Sequence, residues 1–225
     1  MQRQLIVTND GSSSIAIPEM NVTYHSQHGA IRESMHVFIQ AGLHYAWQQI
    51  NTGPIALLEM GFGTGLNALL TMIEAGNQQK SVYYEAIELF PLVEEEFMPL
   101  GYCSALGVPE MESLFQKLHT TEWDKEVQIA PRFSLKKTHQ DLLLAKVERK
   151  FDLVYFDAFA PSAQPDLWTK EIFDQLYSFL EPHGVLVTYC SKGSVRRAMG
   201  AAGFMVEKLP GPPGKREIVR ALRVK

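Results

Sequence analysis

The segment Leu58-Glu59-Met60-Gly61-Phe62-Gly63-Thr64-Gly65-Leu66-Asn67 restricts the possible folds of this chain more than any other. An apolar run of strand length, residues 55–60, leads into it, and Leu66 opens an apolar helical pattern. Three glycines separated by single residues join the two. Glycine reaches positive φ without strain and lets backbone approach a ligand closely. A glycine turn at a helix start presents unpaired N–H groups. The segment therefore predicts a ligand cradle at the C-terminal end of a strand in an α/β sheet.

The spacing selects among ligands. A dinucleotide fingerprint, G-x-G-x-x-G/A, places a small residue at the third position. Here that position is Leu66, followed by Asn67. An acid before the loop and single-residue spacing, E-x-G-x-G-x-G, favour S-adenosylmethionine, with Glu59, Gly61, Gly63, Thr64, Gly65 and Asn67 as cofactor residues. Two vicinal ribose hydroxyls call for a carboxylate at the end of the next strand. Glu85 and Glu88 are available, and Glu88 lies nearer the strand's C-terminal end. Asp141, after the strand at 133–138, is the expected reader of the adenine, or else a helix-capping acid. Asp157 ends the apolar strand 151–156 and is the candidate to meet both the cofactor and the methyl-accepting group. Asp166 reads as an N-cap, and Trp168 as core or a stacking ring.

Strand and helix patterns alternate from residue 55 onward, which predicts a parallel sheet. Strands are expected at 55–60, 81–87, 133–138, 151–156 and 184–190, and helices at 66–75, 91–98, 110–118, 140–147, 166–180 and 194–202. Residues 204–209 and 218–224 are two strands joined by Pro210-Gly211-Pro212-Pro213-Gly214, an antiparallel hairpin on one edge. The expected fold is α/β, a class I methyltransferase (Rossmann-like) domain over residues 51–225, with a seven-stranded, mostly parallel sheet. Residues 1–50 form an extension: a β-hairpin turning at Asn9-Asp10-Gly11, then a helix over 30–50.

Two cysteines, Cys103 and Cys190, in no ligand spacing argue against a disulfide framework or a zinc site. No apolar stretch reaches the roughly 18 residues of a membrane span. A cytoplasmic protein of monomer size is expected. The net charge is −4, yet from Lys192 onward nine basic residues face two acidic ones, a local +7 that leaves −11 for residues 1–191. Such a basic sector is either a solvated hairpin or a footprint for nucleic acid.

Several stretches together resemble one family. They are EMGFGTGLN at 59–67, ELFPL at 88–92, FDAFAPSAQPDLW at 156–168, TYCSKGSVRRAM at 188–199 and GKRE at 214–217, with YHSQHGAIRESMHVFI at 24–39. The chain resembles the MnmD and MnmC N-terminal-type tRNA (5-methylaminomethyl-2-thiouridine)-methyltransferases over nearly its whole length. It departs from them at Thr138-His139-Gln140, where a glycine is expected before the acid, and at Ala158, where glycine is frequent. The resemblance implies methyl transfer to the amine of 5-aminomethyl-(2-thio)uridine at the tRNA wobble position. It also implies a tRNA anticodon stem-loop as partner and a separate enzyme that makes the amine. Asp157 would orient or deprotonate that amine. Tyr24, Phe159 and Trp168 are candidates to touch the base, and Lys192, Arg196, Arg197, Lys215 and Arg216 the phosphates. Arg196 and Arg197 cannot both face one way on a helix. Tyr24, His25, Ser26, His28, Glu33 and His36 are expected to form a lid. The competing readings are a small-molecule amine methyltransferase and a non-catalytic S-adenosylmethionine- or RNA-binding protein.

Overall fold

The computed structural model describes residues 2–50 and 53–224. The N-terminal hairpin forms as expected, β1 (Gln4–Val7) against β2 (Ser13–Ile17), and gains a third strand, β3 (Val22–Thr23). Helix α1 (Ala30–Ser34) continues through a π-wound stretch, Met35–His44, into α2 (Tyr45–Gln49). Of the apolar stripe read over 30–50, Phe38, Ile39, Leu43 and Trp47 are buried, whereas Ile31 and Met35 are half-buried; Val37, outside the stripe, is buried as well. Gly42 lets this rod close on the sheet, because a Cβ there would stand 2.8 Å from Val187 Cγ2. Ile15, Phe38 and Leu43 join the same buried cluster as Leu57, Tyr84, Tyr155 and Val187, so the extension packs into the core of the rest. The boundary expected at residue 51 falls beside Asn51 and Thr52, which lie outside the described residues, as does Lys225 of the basic sector.

The main body follows as β4 (Ile55–Met60), α3 (Leu66–Asn77), β5 (Val82–Glu88), the short helices α4 (Glu94–Phe97) and α5 (Tyr102–Ala105), α6 (Glu112–Thr120), β6 (Glu126–Ala130), β7 (Phe133–His139), β8 (Phe151–Phe156), α7 (Lys170–Phe179), β9 (Leu180–Thr188), α8 (Gly193–Ala201), β10 (Met205–Pro210) and β11 (Glu217–Leu222). The sheet order is β10-β11-β9-β8-β4-β5-β7-β6. The five inner strands run parallel, and β11, β10 and β6 are antiparallel to their neighbours. Strand β4 lies at the centre with both faces covered, which explains its unbroken apolar run. Chain order reverses at β4, with β5 on one side and β8 on the other. That reversal opens a crevice at the strands' C-terminal ends.

Three expectations are corrected. The sheet has eight strands rather than seven, because β6 pairs antiparallel along the β7 edge. Its alternating residues bury only Ile129, so no apolar run announced it. No helix forms over 140–147. Asp141 caps a single turn at Leu142–Leu144 instead, and Leu143 and Leu144 stand exposed. The helix read over 166–180 is broken at Thr169 into a turn, Pro165–Trp168, and α7. Among the described residues no helix is long and apolar enough to cross a membrane.

Candidate active site

A cavity of about 310 Å³ occupies the crevice. The glycine loop, the ends of β5 and β8, the turn at 141–143 and the loop at 157–167 line it. The N-terminal extension closes over it with Met20, Tyr24 and His25. Gly61 (φ +96°) and Gly63 (φ +52°) require the left-handed backbone read from the sequence. A Cβ on Gly61 would lie 3.3 Å from the Asp157 carbonyl oxygen, and one on Gly63 would lie 3.0 Å from the Tyr24 ring. Thr64, Leu66 and Asn67 continue the wall.

Glu88 lines the cavity and accepts from Gly63 N at 3.0 Å and from Phe90 N at 2.8 Å. The alternative, Glu85, is buried away from it, taking the Tyr83 hydroxyl at 2.7 Å and facing Lys136. Asp141 also lines the cavity while its Oδ1 accepts from Leu143 N at 2.9 Å, so it serves as a turn cap as well.

The floor is a polar triad in which Glu59 and Asn67 are buried and Asp157 is half-buried. Asn67 Nδ2 donates to Glu59 Oε1 and to Asp157 Oδ2, both at 2.9 Å. One amide thereby holds two carboxylates largely withdrawn from water, an arrangement that costs about 1–3 kcal/mol when a donor is missing. Burial pushes Asp157 well above the usual carboxylate range, and the Glu33 charge adds to this. The Asn67 hydrogen bond and Lys215 pull the other way. Glu59 is pushed up by burial too, against its bond from Asn67. Asn67 Oδ1 is buried with no partner among the described residues.

Four candidate residues stand elsewhere than expected. Glu59 is 1% exposed and lies beneath the loop, so it holds Asn67 rather than reaching the cavity. Gly65 faces His119, whose Nε2 would be 2.9 Å from a Cβ there, and so serves the turn. Trp168 is core: its ring packs edge-on against Phe156, and its N–H donates to the Phe159 carbonyl at 2.8 Å. Lys215 is paired with Glu33 and lies over the Tyr189 ring. Tyr24 and Phe159 do meet in the cavity, edge to face at 5.1 Å. Lys192, Arg197 and Arg216 are exposed, whereas Arg196 turns inward and donates from Nε to the Ser191 carbonyl.

Sequence reasoning passed over three supports. Gln164 lines the cavity and accepts from Phe159 N at 3.0 Å, fixing the loop after Asp157. Tyr189 donates to the Ala158 carbonyl at 2.8 Å. His119 bonds Thr64 O through Nε2 at 3.1 Å and stacks on Phe97, with burial lowering its pKa to about 3. Tyr189 and His119 meet partners 31 and 55 residues away, which no spacing signal connects, while Gln164 reaches back five residues within an irregular loop. Among the described residues no group of three or more His, Cys, Asp or Glu is placed to hold a metal ion.

The glycine-lined wall, the carboxylate of Glu88 and the orphaned Asn67 oxygen fit a ligand with an amino-acid tail and a ribose. Comparison with known proteins agrees. The profile of an S-adenosyl-L-methionine-dependent methyltransferase family matches residues 109–224. This chain belongs to that family of enzymes, and S-adenosylmethionine is its cofactor. The chain is 31% identical over 231 residues to the tRNA 5-methylaminomethyl-2-thiouridine biosynthesis bifunctional protein MnmC of Burkholderia multivorans, covering 96% of this chain and 34% of that protein. It is 31% identical over 227 residues to the MnmC of Chromobacterium violaceum, covering 95% and 33%. It therefore spans about a third of the length of these relatives. The crystal structure of MNMC2 from Aquifex aeolicus superimposes with a TM-score of 0.77 at 26% identity, over 100% of this chain and 71% of that one. Spermidine synthase from Thermotoga maritima shares the fold, with a TM-score of 0.57 at 15% identity over 99% and 69%.

Proposed function

We propose that this protein methylates the amine of 5-aminomethyl-(2-thio)uridine at the wobble position of tRNA, giving the 5-methylaminomethyl form. The observation that carries the reading is Asp157. It is a half-buried carboxylate at the cavity floor, fixed through Oδ2 by Asn67, in a cavity that the aromatic pair Tyr24 and Phe159 also lines. The similarity to MnmC over almost the whole chain supports tRNA as the substrate.

Gly61, Gly63, Thr64 and Asn67 would hold the amino-acid tail of S-adenosylmethionine, Glu88 the ribose and Asp141 the adenine. The cofactor supplies a methyl group activated on a sulfonium. Asp157 then does the work at nitrogen. A primary amine reaches the site as an ammonium and must lose a proton before its lone pair can attack. Burial makes the Asp157 carboxylate a stronger base than a solvated one. Its second oxygen accepts that proton and keeps the neutral amine aimed. Once that proton has passed on to solvent, the restored carboxylate would stabilise the positive charge that grows on nitrogen as the N–C bond forms and the bond from the methyl group to sulfur breaks. Tyr24 and Phe159 exclude water and present ring surfaces to a base turned out of the anticodon stack.

Residues 1–50 act as the roof of the same catalytic unit as 51–225. Lys192, Arg197 and Arg216 contact the phosphates around the anticodon loop. The protein works as a cytoplasmic monomer on tRNA whose aminomethyl group another enzyme has made. Incubation with labelled cofactor tests this. Label should enter tRNA from cells lacking the methyl group and leave polyamines untouched. Label in polyamines alone would replace the proposal with a small-molecule amine methyltransferase.

A further inference from the structure

The basic C-terminal hairpin is bolted to the N-terminal helix. His36 Nε2 lies 2.8 Å from the Pro210 carbonyl, and Gly214 packs so closely on the His28 ring that a side chain has no room. Between these contacts Lys215 pairs with Glu33, which is 7% exposed and also accepts from Ser26 N at 2.9 Å. The Lys215 ammonium lies 4.0 Å above the Tyr189 ring centre. Tyr189 in turn bonds the carbonyl of Ala158, the neighbour of Asp157. An anion from the extension and a cation from the hairpin are thus fixed together behind the loop that follows Asp157. Neither is free to follow a phosphate.

We propose that Glu33 and Lys215, an ion pair held over the Tyr189 ring behind the loop that follows Asp157, are positioning residues for Asp157, and that Lys215 sets the charge around the acceptor site instead of gripping the tRNA backbone. The inference rests on the reading of Asp157 as the carboxylate that meets the acceptor amine. The groups around Asp157 are Asn67 from α3, neutral; Glu59 from β4, which shares that amide; Glu33 from α1; Lys215 from the hairpin turn; and the phenols of Tyr84 from β5 and Tyr189, kept protonated by burial. Glu33 and Lys215 act on Asp157 in opposite senses.

The test compares pH profiles of single-turnover methyl transfer for the wild type, Lys215→Met, Glu33→Gln and Lys215→Arg. Both neutralising variants break the same ion pair. A strap that matters only for structure therefore loses rate in the same way from either side. Charge tuning predicts opposite shifts. Loss of the cation raises the proton affinity of Asp157 and of the bound amine, moving the rising limb to higher pH by about one unit. Loss of the anion moves it to lower pH by a similar amount. Lys215→Arg stays near the wild type, and tRNA affinity in Lys215→Met stays within about twofold. Shifts in one direction, or none, overturn the proposal. So does weaker tRNA binding by Lys215→Met with a salt slope reduced by about one and an unmoved limb, the signature of a phosphate contact. If Lys215→Met does not fold, the direction of the Glu33→Gln shift decides alone. A wild type that methylates no tRNA amine refutes the underlying reading, and the inference falls with it.

Discussion

Asp157 at the cavity floor and Arg197 on the outer face of α8 carry opposite charges in opposite surroundings. Asp157 is half-buried, and the amide of Asn67 donates to both it and Glu59. Arg197 is exposed, like Lys192 and Arg216 nearby. A charge in water interacts weakly and is screened beyond about 10 Å at moderate salt. A charge out of water depends on each donor and neighbour, and losing one costs kcal/mol. On the proposed function, the floor serves chemistry at one atom, and the rim salt-sensitive attraction to a polyanion. Lys215 and Arg196 came from the same basic stretch of sequence, yet the fold draws both inward.

The sharpest way to break this contrast is Asp157→Asn. It keeps the shape of the floor and removes the proton acceptor. Single-turnover methyl transfer should fall on the order of 100-fold or more, with cofactor and tRNA affinity nearly unchanged. An unchanged rate would remove Asp157 from the chemistry.

The roof makes a different prediction. His25 is buried against Ser14 and its pKa is lowered to about 4 from 6.5 by burial; His119 moves the same way, to about 3. Both stay neutral in the fold while the unfolded chain gains protons below 6.5. Their contribution to stability is complete above pH 6.5 and is lost as pH falls toward 4 for His25 and 3 for His119, roughly 3 kcal/mol for His25. Asp157 and Glu59 oppose this slope, because their raised proton affinity favours the fold as pH falls. Denaturant midpoints measured from pH 7.5 to 4 should fall, and less steeply in His25→Gln. Identical slopes would mean that His25 is solvated.

Asn67→Ala tests the floor from the other side. Two buried carboxylates lose their donor, so stability should drop by about 1–3 kcal/mol and methyl transfer should fall with it. Urea unfolding followed by a rate assay on the folded fraction separates the two effects. The smallest change is expected at the rim. Arg197→Ala and Arg216→Ala should each weaken tRNA binding several-fold and reduce the salt slope by about one, without altering the rate at saturating tRNA.

What could be read from the sequence follows the same division. The glycine loop was legible because strand, turn and helix are contiguous and each has a local signature. Strands β4 and β8 were legible as unbroken apolar runs, with Asp157 at the end of one. Strand β6 was not, since an edge strand with one deeply buried side chain has almost no pattern. The turn after Asp141 was misread because three leucines suggest a buried helix, whereas two of them face solvent here. The inward roles of Glu59, Lys215 and Trp168 depend on partners brought near only by the fold. Charge or aromatic character in the sequence says nothing about which way such a side chain turns.

The most direct test of the whole account is the nucleoside itself. tRNA bearing 5-aminomethyl-(2-thio)uridine should be treated with the wild-type protein and S-adenosylmethionine, digested, and analysed by mass spectrometry. The account predicts that the wobble nucleoside gains one methyl group on its side-chain nitrogen and that the Asp157→Asn protein forms this product on the order of 100-fold more slowly, or slower still. A methyl group on another atom or another nucleoside, or equal methylation by the variant, would contradict it.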